Sequence, residues 1–190
     1  MVRWQPGTRE RLQGTALQLF AERGYDQTTV AEIAAAAEVT ERTFFRHFAD
    51  KREVLFAGQD DFLGMFLGPI EAAPRDTAPF ALVRIALHAA ADFFPDERRE
   101  WSRTRQAVID GNPALGEREL GKLASLKVRL GEALRERGVP EPAATMAAET
   151  AVTVFHLSFA QWIAPDETRG FAAIADERMT ALTELVHPVR

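Results

Sequence analysis

The sequence predicts an all-α protein of about nine helices. Three observations carry that prediction. Apolar residues recur every three to four positions along nearly the whole chain, the spacing of one helix face. No stretch of useful length alternates apolar and polar residues, as a half-buried strand would. Glycine and proline fall between the periodic segments, where they punctuate helices.

The first helix is predicted over about 8–23, with Leu12, Ala16, Leu19 and Phe20 on one stripe and Gly24 as its C-terminal cap. Thr29 and Glu32 have the spacing of a capping box, so a second helix starts there and buries Val30, Ile33, Ala34 and Ala37. Glu38-Val39 is a short turn, and Thr40 caps a third helix running from Glu41 to Phe48. Asp50 and Glu53 open a fourth, expected to continue to Leu67 and to stop at Gly68-Pro69. Five more are expected at about 80–94, 96–110, 114–137, 141–164 and 168–187. The breaks between them are Pro95, Gly111-Asn112-Pro113, Gly138-Val139-Pro140 and Ala164-Pro165-Asp166. The expected domains are 1–50, with a helix-turn-helix at 29–48, a connecting helix at 51–67, and a helical domain at 68–190.

Composition narrows the function. The 190 residues are 46% hydrophobic and 27% charged, which is a globular composition with enough chain for a real core. There are no cysteines, so disulfides and cysteine zinc sites are excluded, and a reducing, cytoplasmic setting is expected. The four histidines, at 47, 88, 156 and 187, have no metal-ligand spacing, so neither metal nor cofactor is expected. The segment Met1-Val2-Arg3-Trp4-Gln5-Pro6-Gly7 lacks the apolar run of a signal peptide, and no stretch is long and apolar enough to span a membrane. Enzymatic readings find little: Ser102, Ser125 and Ser158 sit in no nucleophile elbow, and no glycine-rich phosphate loop or HExxH pair occurs. Asp60 and Asp61 are adjacent on a helix and point about 100° apart, which suits no acid/base pair. An enzyme or a pure protein-interaction module remains only as a weaker alternative.

The net charge of −5 argues against nucleic acid, but its distribution argues otherwise. Residues 1–53 hold eight Lys/Arg and eight Asp/Glu, and Arg42, Arg46, His47, Lys51 and Arg52 fall within eleven residues. Local clustering sets the field a phosphate meets. Two short helices joined by a tight turn read DNA when the second is free to enter the major groove. Phe44 and Phe48, one turn apart, can anchor that second helix against Leu19, Phe20 and Ile33. This leaves Glu41, Arg42, Phe45 and Arg46 outward. Arg42 near the helix start suits a base edge, Glu41 a cytosine amino group, and His47 and Lys51 a phosphate. The start of the second helix, with the hydroxyls of Thr28 and Thr29, suits a phosphate too.

The runs Phe20-Ala21-Glu22-Arg23-Gly24-Tyr25-Asp26-Gln27-Thr28-Thr29-Val30-Ala31-Glu32-Ile33-Ala34 and Val39-Thr40-Glu41-Arg42-Thr43-Phe44-Phe45-Arg46-His47-Phe48-Ala49-Asp50-Lys51 closely resemble the opening of the TetR (tetracycline-repressor-like) family. The resemblance covers about residues 9–60. It implies an N-terminal DNA-binding domain, a helical ligand-binding and dimerisation domain, and a homodimer on an inverted-repeat operator. Most family members are repressors, released from DNA by a small-molecule effector; an activator of the same fold is the alternative. At matching positions it implies DNA contacts from Thr40, Glu41, Arg42 and Thr43 and from Phe45, Arg46, His47 and Lys51. Two positions depart from the pattern. Glu38 stands where the family usually has glycine, and Phe45 where tyrosine is commonest.

The stretch Pro113-Ala114-Leu115-Gly116-Glu117-Arg118-Glu119-Leu120-Gly121-Lys122-Leu123 is loosely similar to a subgroup that includes mycofactocin-system regulators, which implies an acyl-CoA-like effector. The candidate pocket residues are Phe93, Trp101, Arg105, Phe155 and Phe159, although such aromatic stripes, with Phe94 and Trp162, more often form core or a dimer interface. Arg98, Arg99, Arg103 and Arg105 are expected to be a solvated face, and His88 and His156 satisfied core or pocket histidines. By the family pattern, the last two helices of each subunit form the dimer interface, and the fourth helix is the lever between domains.

Overall fold

The fold was established from a computed structural model that describes residues 7–186; Arg3 and His187 lie outside the described residues, as does the side chain of Val186. Among the described residues there is no strand. The helices are α1 (Thr8–Arg23), α2 (Val30–Ala36), α3 (Glu41–His47), α4 (Glu53–Phe56), α5 (Gln59–Ala72) and α6 (Pro79–Phe93). A short 3-10 turn at Asp96–Arg98 leads into α7 (Arg99–Asp110), followed by α8 (Pro113–Glu136), α9 (Ala143–Trp162) and α10 (Phe171–Val186).

The described residues form two compact units. The first comprises the chain up to Gly58 together with Arg103–Glu119; the second comprises Gln59–Ser102 and the chain from Leu120 onward. The expected boundaries at 50/51 and 67/68 are thus replaced: α4 and the hairpin tip formed by the end of α7 and the start of α8 belong with the N-terminal helices.

In the first unit the local signals act as their chemistry dictates. Thr29 and Glu32 complete the capping box, with Glu32 N–H donating to Thr29 Oγ1 at 3.2 Å and Thr29 N–H to Glu32 Oε2 at 2.8 Å. Thr40 Oγ1 accepts from Thr43 N–H at 3.2 Å. The Asp50 carboxylate accepts from the N–H groups of Arg52 and Glu53 and starts α4. Leu12, Leu19, Phe20, Ile33, Phe44 and Phe48 are all buried and form the core under the turn.

Two differences from expectation lie in the fourth helix. It is not one rod over 51–67: after α4 the backbone turns extended at Ala57 (ψ 142°), and Gly58 adopts φ +87°, a left-handed conformation that favours glycine. Nor do Gly68-Pro69 stop α5, which runs through Pro69 to Ala72. The proline costs a backbone hydrogen bond, but Phe62, Phe66 and Ile70, four residues apart and buried, continue one apolar stripe across it. That burial outweighs the local break, each such side chain being worth roughly 1.5–3 kcal/mol.

Glu38 is strained as its departure from glycine implies. It is the one non-glycine residue with positive φ among those described, at +55°, held there by Glu38 N–H to Ala35 O and Val39 N–H to Ala34 O. Left-handed backbone costs a side-chain-bearing residue roughly 1–2 kcal/mol. Glu38→Gly is therefore expected to stabilise the first unit by about 1 kcal/mol, less the extra entropy glycine gives the unfolded chain. Urea unfolding measures it; an unchanged or lowered midpoint would show that Glu38 makes a compensating interaction.

Candidate nucleic-acid interface and the aromatic helical unit

The helix-turn-helix presents the face that the sequence predicts. Phe44 is fully buried and Phe48 nearly so, their ring centroids 5.5 Å apart. Successive side chains on α3 are turned by about 100°, so pinning these two rings leaves Glu41, Arg42, Phe45 and Arg46 exposed. Phe45 is 53% exposed, an unusual placing for a large apolar ring, and meets Phe44 edge-on at 5.4 Å. Arg42 and Arg46 make no hydrogen bond or ion pair with another described residue, so their guanidinium donors are available to a ligand. Thr29 and Thr40 are exposed at their caps, and Thr43 is half-buried with its hydroxyl 3.0 Å from that of Thr40.

Three expected contacts are placed differently. Thr28 is fully buried, and its hydroxyl donates to the carbonyl of Gly24 at 2.9 Å. It closes the loop before α2 and offers nothing outward. His47 is half-buried with Nε2 turned inward and without a partner, so that nitrogen does not face a ligand. Lys51 is half-buried, and its ammonium donates to the carbonyls of Tyr25 at 2.8 Å, Thr28 at 3.0 Å and Asp26 at 3.4 Å. Spacing alone does not distinguish an outward lysine from one folded back over a loop. Arg52 is spent on Asp50, with which it makes a 2.7 Å ion pair that holds the Asp50 carboxyl below the usual carboxylate range. Glu32 is likewise held low, chiefly by the backbone N–H of Thr29.

The hairpin tip adds residues that sequence reasoning does not place in this unit. Arg105 is buried; its Nε donates to Leu55 O at 2.8 Å, its terminal nitrogens pair with Glu119 at 3.0 and 3.3 Å, and its guanidinium lies over the Phe56 ring at 5.2 Å. Arg118 pairs with Glu53 at 2.7 Å, and Asn112 donates to the Asp26 carboxylate at 3.2 Å. Apart from Arg105–Glu119, 14 residues apart, the hydrogen bonds and ion pair among these span 50 to 86 residues of sequence, and no local motif announces them.

The second unit is built around aromatic rings. Phe62, Phe66, Phe94, Phe155, Trp162 and Phe171 are buried, with Phe155 within 6 Å, centroid to centroid, of Phe62, Phe66, Phe94 and Phe171. Phe93 and Phe159 are half-buried at its margin, and Trp101 is half-buried beside Arg98, whose guanidinium also lies 4.5 Å over Phe93. Phe93, Trp101, Phe155 and Phe159 thus share one unit, while Arg105 does not join them. The arginine run is not a solvated face. Arg99 is largely buried, donating to the Glu167 carbonyl, to Arg169 O at 2.6 Å and to Asp96 at 2.5 Å. The lone histidines are not core residues either: His88 is exposed and hydrogen-bonded to Asp176 at 2.9 Å, and His156 is exposed. No group of side chains able to hold a metal ion occurs among the described residues, and none of their helices is long and apolar enough to cross a membrane.

Comparison with known proteins agrees with this geometry. The family model described as bacterial regulatory proteins, tetR family, matches residues 14–57. TcmR, an HTH-type transcriptional regulator of Streptomyces glaucescens, is 43% identical over 82 residues, which are 43% of this chain and 36% of TcmR. The chain therefore matches about a third of that relative's length. Among solved structures, the TetR-family repressor FadR of Thermus thermophilus, in complex with lauroyl-CoA, shares the fold with a TM-score of 0.57 at 23% identity, over 96% of each chain. AibR, solved with isovaleryl coenzyme A and operator DNA, shares it with a TM-score of 0.54 at 22% identity, over 92% of this chain and 97% of its own. Residues 14–57 thus carry a helix-turn-helix that matches the tetR family of bacterial regulatory proteins, and it is set in an all-helical fold shared with FadR and AibR.

Proposed function

We propose that the protein is a transcriptional repressor that binds an inverted-repeat operator as a homodimer and is released by a small-molecule effector. The observation that carries this is α3: two phenyl rings pinned inward, with Arg42, Arg46, Glu41 and Phe45 presented outward. Arg42, two residues past the Thr40 cap, reads a base edge; Arg46 follows the phosphate backbone; Phe45 offers its ring to a thymine methyl. Thr29, Thr40 and Thr43 supply hydroxyl donors around them.

Homodimer formation is supported by α9 and α10, which leave Met146, Leu157 and Leu185 at least half exposed on helices otherwise rich in buried small and apolar residues. A second copy would cover them across a two-fold axis. The axis would set two α3 helices in successive major grooves, roughly 34 Å apart. The effector is an acyl-CoA-like molecule whose apolar part enters the aromatic unit near Phe93, Trp101, Phe155 and Phe159, with coupling to DNA release of about 1–3 kcal/mol. The setting is the cytoplasm.

The test is a mobility shift with the intergenic duplex upstream of the protein's own coding sequence, with an unrelated duplex as competitor and lauroyl-CoA as releasing ligand. A footprint without two-fold symmetry, or retardation equal for both duplexes, refutes the proposal. Arg42→Ala is expected to relax base preference at one symmetric pair of operator positions and to cost about 1–3 kcal/mol per contact. Binding to a panel of operator variants measures this; unaltered selectivity shows that Arg42 reads no base.

A further inference from the structure

The ammonium of Lys51 is bound three times over. It has three N–H donors, and the carbonyls of Tyr25, Thr28 and Asp26 lie at 2.8, 3.0 and 3.4 Å. Its nitrogen also sits 4.2 Å from the centre of the Tyr25 ring, within reach of a cation–π attraction. These carbonyls belong to the loop that ends α1 and leads into α2. The same loop is gripped from two other directions. Thr28, wholly buried, donates its hydroxyl to Gly24 O at 2.9 Å, and the Asp26 carboxylate accepts from Asn112 at 3.2 Å. The Tyr25 ring packs at a tilt against Phe20, centroids 5.1 Å apart, and its phenol is pushed up to about 12, first by burial and then by Asp50.

A phosphate oxygen reaching Lys51 would have to take a donor from one of these three carbonyls, of which Tyr25 O also accepts from Thr28 N–H at 3.3 Å. Of the three residues Thr28 is wholly buried, and stripping its carbonyl of this donor costs about as much as the new contact gives. We infer that Lys51 is a positioning residue: it gathers the Tyr25–Thr28 loop around one cation, fixes where α2 begins, and so sets the seat against which α3 is presented to DNA. It acts through α2 and α3, not by touching the duplex. This rests on the DNA-binding reading above and deepens it.

Arginine separates the two roles. A phosphate contact accepts arginine readily, whereas three converging carbonyls need the compact ammonium; a planar guanidinium fork does not fit that arrangement. The experiment compares wild type, Lys51→Met and Lys51→Arg in the full chain. Binding to the protein's own upstream duplex is measured from about 50 to 200 mM salt, and backbone amide exchange over residues 25–32 is measured without DNA. The positioning role predicts that both variants, corrected for folded fraction, bind about tenfold more weakly with the wild-type salt slope, and that amides in the loop exchange faster. A salt slope lower by about one phosphate contact per half-site in Lys51→Met, with full rescue by Lys51→Arg, overturns it. So does wild-type amide exchange in both variants. Wild-type protein that discriminates no duplex defeats the repressor reading instead, and the exchange measurement then still decides whether Lys51 holds the loop.

Discussion

Phe44→Ala is expected to abolish specific DNA binding by unseating α3, at a cost of about 3–5 kcal/mol to the first unit. Phe44 is fully buried and touches both Phe48 and Phe45 through its ring. Its loss leaves a cavity in the small core that holds a seven-residue helix, too short to persist without tertiary support. The neighbouring Phe45→Ala is the control. With half of its surface already in water, that change is expected to alter stability by no more than about 0.5 kcal/mol while weakening operator binding. Circular dichroism melting with parallel mobility shifts checks the pair. Equal stability losses at 44 and 45 would show that α3 is seated differently.

Arg105→Ala is the second change of that size, with an expected loss of about 3–5 kcal/mol, because it removes one partner of a buried ion pair while the other charge stays buried. The Arg105 side chain is 7% exposed and that of Glu119 is 20% exposed, so solvent screens the pair poorly. The Leu55 carbonyl also loses its donor. Arg105→Met with Glu119→Leu is expected to recover much of the loss, since a buried ion pair replaced by apolar side chains of similar volume is often close to neutral. Urea unfolding of the two single variants and the double variant gives the coupling energy, expected at about 1–3 kcal/mol. Additive single losses would mean that the two side chains do not act as a pair.

What was legible in the sequence was what local chemistry decides. The caps at Thr29 and Thr40, the inward pair Phe44 and Phe48, and the outward set Glu41, Arg42, Phe45 and Arg46 follow from spacings of three and four on short helices. The cost at Glu38 was legible too, because a turn that favours glycine imposes its φ on whatever residue stands there. The misplaced residues are those whose surroundings come from elsewhere in the chain. Pro69 reads as a stop until the Phe62–Phe66–Ile70 stripe is seen to be buried on both sides of it. Lys51 and Thr28 read as surface donors until the loop closes over them. Arg105 reads as one of four solvated arginines, because its acceptors, Leu55 and Glu119, are 50 and 14 residues away. The family model matches residues 14–57, where the sequence was legible, and nearly the whole chain is matched by fold at low identity.

The first unit is assembled from two separate stretches of chain, the residues up to Gly58 and those from Arg103 to Glu119. During synthesis, α1 to α4 therefore emerge well before the side chains that complete them. Until Arg105, Asn112 and Arg118 have left the ribosome, Leu55 O, Asp26 and Glu53 must be satisfied by water. The nascent reading head is thus a provisional structure, open to proteases for the time it takes to make some sixty further residues, a few seconds at about 5–20 residues per second. A gene fragment ending at Gly58 would encode that unfinished form permanently, and so would make a poor stand-in for the head of the whole protein.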